Sequence, residues 1–131
     1  MHFQYYNANP KLNNIEDCAA RAVSKALGIS WREAFTILSN YARKNGLMMN
    51  SVENVENFLD DNFERACIED MTVGEFADIH NRGVYLITMP SHISVIVDGV
   101  LYDTFDCSDK FMWCSWKVLW VKMMNFLIIG L

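Results

Sequence analysis

The sequence predicts an α+β fold, with helices first and an antiparallel meander after them. Between Ile15 and Gly83 apolar residues recur at spacings of three and four, the period of a helix with one buried face. From Val84 to Phe105 the period changes to two, and Asp98-Gly99 between two alternating runs is the strongest short hairpin signal in the chain. Helices grouped ahead of strands build an α+β protein, whereas strict alternation builds a parallel sheet. The 131 residues are enough for roughly one domain.

The elements follow in order. Residues 1–14 are polar and turn-rich, with Tyr5 and Tyr6 as anchors. A first helix carries Cys18, Ala19, Ala22, Val23, Ala26 and Leu27 on its apolar positions. Asp17 is placed to cap its start and Gly28 to end it. Ser30-Trp31-Arg32-Glu33 is a capping box for a second helix, whose stripe is Phe35, Leu38 and Ala42 and whose end is Gly46. Ser51 opens a third helix through Val52, Val55, Phe58 and Leu59. Thr72-Val73-Gly74-Glu75 is another capping box, opening a short helix that Gly83 closes. Strands are then expected at Val84–Thr88, His92–Val97 and Val100–Phe105, with Met89-Pro90-Ser91 as the first turn.

Composition removes several function classes. The chain is 52% hydrophobic and 21% charged, so it can bury enough apolar surface to offset its ordering entropy. Eleven basic against sixteen acidic side chains give a net charge of −5, which argues against a nucleic-acid partner. The start, MHFQYYNANPK, has no apolar run and does not read as a secretory signal, so the expected location is the cytoplasm, with the four cysteines as thiols. No Cys-x-x-Cys and no G-x-G-x-x-G occurs, and neither metal nor organic cofactor is expected.

The run from Phe111 to Leu131 is long enough to cross a bilayer, but Lys117 and Lys122 fall inside it, each costing about 2.5–3.5 kcal/mol near the bilayer centre. Residues 117–131 are therefore expected as an apolar tail appended to a domain over 1–116. Packing against the domain, a homodimer contact and contact with a membrane surface stay open as its roles. Trp113, Trp116 and Trp120, spaced at three and four, suggest a helix face or an interface.

Chemistry centres on Cys18, which the pattern puts in the first turn of the first helix. There the free N–H groups and the macrodipole favour an anion, and thiolate is the nucleophilic form of cysteine. A two-residue turn at Asp98-Gly99 pairs Val97 with Val100, which sets Ser94 opposite Asp103 and His92 opposite Phe105. His92, Ser94, Ile96, Leu101, Asp103 and Phe105 then share one face, with Asp103 diagonal to His92 and Asp106 on the other face. An aspartate so placed fixes the imidazole tautomer and stabilises its cation. Arg21, one turn beyond Cys18, is placed to salt-bridge inward. His80 is expected to be structural at a helix end, Met48, Met49, Met123 and Met124 to pack, and Cys107 to lie on an exposed loop.

The blocks Tyr5-Tyr6-Asn7-Ala8-Asn9-Pro10, Asp17-Cys18-Ala19-Ala20-Arg21-Ala22, Ser91-His92-Ile93-Ser94-Val95-Ile96-Val97-Asp98-Gly99 and Tyr102-Asp103-Thr104-Phe105-Asp106 resemble small papain-like proteins of phages and mobile elements. The chain is also similar to the bacteriocin-processing (double-glycine leader) peptidases and, more distantly, to NlpC-type peptidases. The likeness runs in order over residues 3 to 116, although only these blocks are specific. It implies a papain-like fold and a cysteine peptidase or amidase with Cys18 as nucleophile, His92 as general base and acid, and Asp103 as orienting residue. It further implies a peptide or protein substrate and, for a phage-encoded chain, the host cytoplasm.

Two departures qualify the likeness. Leader peptidases and papain carry a glutamine oxyanion donor six residues before the cysteine, where this chain has Leu12; Asn13, Asn14, Asn7 or Asn9 is the candidate substitute. The Asp-Cys-Ser-Gly of NlpC-type enzymes is also absent, since Ala19-Ala20 follow Cys18. A lost oxyanion donor costs roughly 10²–10³ in rate. An inactive relative that binds a host protein is therefore the alternative function, and acyl transfer to an amine is a third.

Overall fold

A computed structural model describes residues 1–119 as a mixed α+β protein with four helices and one six-stranded sheet. The elements in chain order are β1 (His2–Tyr5), α1 (Cys18–Leu27), α2 (Trp31–Asn45), α3 (Val52–Asn62), β2 (Glu64–Cys67), α4 (Val73–Ile79), β3 (Val84–Met89), β4 (His92–Val97), β5 (Val100–Asp103) and β6 (Cys114–Lys117). The strand order is β1-β5-β4-β3-β6-β2, and every pair is antiparallel except β1 with β5.

Local chemistry sets the helix ends. Ser30 and Thr72 each accept the N3 amide while Glu33 and Glu75 return the bond, so both capping boxes form as predicted. Gly28 closes α1 at φ 66°, a left-handed conformation that a side chain would strain. α4 stops earlier than expected, at Ile79, with His80 as its C-cap rather than Gly83. The His80 ring stacks on Phe76 at 4.1 Å, the structural role expected of it. Phe35, expected in the buried stripe of α2, is exposed and stacks on Trp31; Ala34, Ile37, Leu38 and Ala42 form the buried face instead.

The meander is present, but it is the centre of a larger sheet. β1, β2 and β6 went unforeseen: β1 and β2 are four-residue edge strands with every residue exposed, and β6 is a buried interior strand of only four residues inside a run read as an apolar tail. β5 ends at Asp103, two residues short of the expected strand. Trp113 and Trp116 do not lie on a helix, and Trp120 lies outside the described residues. Trp116 is buried within β6, while Trp113 lies exposed just before it. β6 runs through Lys117 and the Val118 amide donates to Val84 at 2.9 Å, so the sheet extends past the boundary expected at residue 116. The rest of the tail, residues 120–131, lies outside the described residues. Among the described residues no helix is long and apolar enough to cross a membrane.

The two sheet faces carry separate cores. On one face α1, α2 and α3 pack on Leu86, Ile93, Val95 and Trp116, with the alanines of α1 allowing close approach. On the other, α4 contributes Val73, Phe76 and Ala77 against Tyr85, Ile87, Ile96 and Leu101. The alternation along β3 and β4 is thus satisfied on both sides, which holds β4 rigidly between the two layers.

Candidate active site

Asp98 and Gly99 both take positive φ, 49° and 78°, as a two-residue hairpin turn requires. Val97 pairs with Val100 and Val95 with Tyr102, the register expected from the turn. β4 therefore begins where β5 ends, and His92 and Asp103 meet at that end of the sheet. His92 Nε2 lies 2.6 Å from Asp103 Oδ2. The Phe105 ring keeps its place against His92, 4.8 Å between centroids, although the strand has ended.

Cys18 comes to the same point from the other layer, as the first residue of α1. Its thiol shares the cleft with the His92 ring and Ile93, close enough for both to act on its charge. Because Asp103 holds Nε2, Nδ1 is the ring nitrogen left for Cys18. The structure thus brings Cys18, His92 and Asp103 together as a thiol, an imidazole and a buried carboxylate.

Asp103 is 3% exposed, and its charge is heavily coordinated. Ser94 Oγ donates to Oδ2 at 2.6 Å, the Thr104 amide to Oδ1 at 2.7 Å, and Arg21 Nη2 to Oδ1 at 3.5 Å. Burial raises the Asp103 pKa, but His92 and Ser94 outweigh it and the carboxyl lies below its ordinary range. Burial likewise opposes the His92 cation, yet its bonds to Asp103 and to the thiols of Cys107 and Cys18 push its pKa up to about 11. For Cys18, burial raises the pKa, while His92, the Ile93 amide and the Arg21 charge bring it below that of an ordinary thiol. These shifts favour a thiolate–imidazolium pair.

Arg21 does turn inward, as its spacing suggested. It donates to Asp17 and reaches Asp103, so α1 is tied to β5 through a buried cation. Asp17, in contrast, does not cap α1 with its side chain. Its carboxylate is taken by Arg21, by Trp31 Nε1 at 2.8 Å and by Asn9 Nδ2 at 3.4 Å. Buried charge partners outcompete a helix amide for the same oxygens.

Of the candidate oxyanion donors, Asn14 lines the cleft with Cys18. Asn7 spends its carboxamide within the loop, donating to Asn13 O at 3.2 Å and accepting from the Asn9 amide at 3.0 Å. Asn9 Oδ1 accepts from the amides of Lys11 and Asn13, so Asn9 organises the loop, and Asn13 does not line the cleft. Cys107 is fully buried rather than on an exposed loop, with its Sγ 3.8 Å from Asp103 Oδ2. It follows the end of β5, where no periodicity remains to place it.

Among the described residues, His92, Asp103 and Cys107 offer nitrogen, oxygen and sulfur donors within 4.8 Å of one another, types that suit Zn²⁺. In this structure His92 Nε2 and Asp103 Oδ2 are engaged with each other at 2.6 Å. The cleft itself holds about 500 Å³. The exposed apolar residues Ile15, Val52, Phe105 and Trp113 line it, none of which had been tied to the site by sequence pattern except Phe105.

Fold and site together define a mixed α+β protein with a half-buried thiol beside an imidazole–carboxylate pair. No family model, curated protein or solved structure matches the chain.

Proposed function

We propose that this protein is a papain-like thiol hydrolase that cleaves a peptide, isopeptide or amide bond through Cys18, His92 and Asp103. One observation carries the proposal. A cysteine at a helix N-terminus faces a histidine whose other ring nitrogen is held by a buried carboxylate at 2.6 Å, beside a cleft of substrate size.

The Cys18 thiolate attacks the carbonyl carbon, and negative charge develops on its oxygen above the start of α1. The Cys18 N–H, which has no acceptor within the helix, and Asn14 are the donors that would stabilise it. As the carbon–nitrogen bond breaks, imidazolium His92 passes its proton to the departing amine. Neutral His92 then takes a proton from water, which hydrolyses the thioester and releases the thiol. Asp103 holds one tautomer of His92 throughout, and Ser94 and Arg21 hold Asp103.

The cleft suggests the substrate's character. Ile15, Val52, Phe105 and Trp113 give it apolar walls, Glu16 and the Arg65-paired Glu56 are its carboxylates, and Arg21 is committed to Asp17 and Asp103. A peptide with an apolar side chain next to a basic one complements that surface. Incubating the protein with a pool of proteome-derived peptides, and reading new termini by mass spectrometry, tests the proposal. Wild type should generate termini that Cys18→Ala does not. A folded wild type with a reactive Cys18 that yields no such termini would favour the binding-protein alternative, and products carrying an added amine would indicate acyl transfer.

A further inference from the structure

Outside this site, a second pair of thiols faces each other near one edge of the sheet. Cys67 ends the edge strand β2 and Cys114 opens β6, and the two are direct partners in the antiparallel pairing. Their sulfurs are 3.9 Å apart. The backbone pattern fixes the kind of pair. The Ile68 amide donates to Trp113 O at 3.1 Å, and the Val118 amide donates to Val84 in β3. Residues 115 and 117 thus turn their backbone groups to β2 and residues 116 and 118 turn theirs to β3, while Trp113 bridges both neighbours, its amide donating to Thr88 O at 2.8 Å and its carbonyl accepting from Ile68. Cys67 and Cys114 therefore form a non-hydrogen-bonded pair, in which Cα atoms sit about 4.5 Å apart. That separation lies inside the roughly 4.4–6.8 Å range of disulfides, so the bond requires the sulfurs to close from 3.9 Å to about 2.05 Å.

We propose that Cys67 and Cys114 form a redox modification site that closes to an intrachain disulfide on reaction with a small-molecule disulfide such as oxidised glutathione. The chemistry has an evident order. Cys67 is exposed, so its thiolate attacks the small disulfide, forms a mixed disulfide and expels one thiolate. Cys114 then attacks the Cys67 sulfur, the protein disulfide forms, and the second small thiolate leaves. Two protein thiols are oxidised, one small disulfide is reduced, and the two protons end on the released thiols. Burial pushes the Cys114 thiol above its ordinary range, which suits the second role better than the first. Arg65 Nη2, 3.4 Å from its sulfur, stabilises the thiolate as it forms.

The position of the pair gives the bond a consequence. α3, whose Val52, Val55 and Glu56 line the cleft, leads into β2, and Trp113 of the cleft directly precedes Cys114. Closing the bond fastens that wall to the sheet that carries His92. Cys18 takes no part in this exchange.

Thiol mapping of the full chain, equilibrated in stepped ratios of reduced to oxidised glutathione, tests the proposal. The expected product is a linked peptide pair containing Cys67 and Cys114, reversed by dithiothreitol, with a Tm rise of roughly 5–15 °C. In Cys114→Ser, whose cooperative thermal transition checks that it is folded, a stable glutathione adduct should replace the link at Cys67 because the resolving thiol is gone. A persistent Cys67 adduct in wild type with Cys114 still free, or a link that uses Cys18 instead, overturns the proposal.

Discussion

Replacing His92 with glutamine retains a polar side chain of similar reach but removes the cation beside Cys18. In the wild type, burial raises the Cys18 pKa while the bond to His92, the Ile93 amide and the charges of His92 and Arg21 lower it. A hydrogen bond to a charged group contributes about 1.5–3 kcal/mol. One pKa unit corresponds to about 1.36 kcal/mol, so the Cys18 midpoint should rise by about 1–2 units in His92→Gln. The loss in rate is smaller than the loss of thiolate, because the more basic thiolate is the stronger nucleophile, with a Brønsted slope of about 0.4–0.5. Below both midpoints, alkylation should therefore slow by about 3- to 15-fold. The assay is iodoacetamide labelling read peptide by peptide, from about pH 5 to about pH 10, a range that brackets lowered and ordinary thiols. At about pH 6 wild-type Cys18 should label ahead of Cys67, even though Cys67 is the more exposed thiol. A midpoint that stays put or falls in His92→Gln would refute the ion pair, as would equal labelling of all four cysteines at that pH.

Asp103→Ala should cost about 3–5 kcal/mol by urea denaturation, since it strips the buried Arg21 and His92 groups of a shared carboxylate. The same residues set a pH profile of stability. His92, raised from 6.5 to about 11, contributes stability that is fully present below 6.5 and is lost as pH rises through about 11. Asp103, lowered from 3.8, contributes stability present above 3.8 and lost as pH falls through its lowered pKa. Denaturation midpoints followed across pH should show both limbs weakened in Asp103→Ala; unchanged limbs would place the pH dependence elsewhere. Ser30→Ala should destabilise the protein by about 1 kcal/mol through loss of a cap while leaving the rate of Cys18 alkylation unchanged.

What the sequence determined by itself was mostly governed by neighbours along the chain, although α4 stops at His80 rather than at Gly83 and Phe35 leaves the buried face of α2. Capping boxes are four-residue motifs, a left-handed glycine ends a helix locally, and Asp98-Gly99 dictates its own turn. Because that turn fixes the register of β4 and β5, even the meeting of His92 with Asp103 was legible across eleven residues. Cys18 was legible as the first residue of a helix, though not the layer from which it would approach His92.

Tertiary structure decided the rest. β1 and β2 bury none of their four residues each, because exposed edge strands are selected by hydrogen-bonding partners rather than by burial. Asp17 left its cap for Arg21 and Trp31, and Cys107 came to lie against Asp103, because buried charges and thiols seek partners that only packing brings near. The cleft belongs to no single element, since α3, the residues before α1, the start of β4 and Trp113 all contribute to it. Local patterning specifies elements and registers because its energies arise between residues a few positions apart. A cleft and a buried charge network arise between segments whose separation in sequence bears no relation to their distance in space.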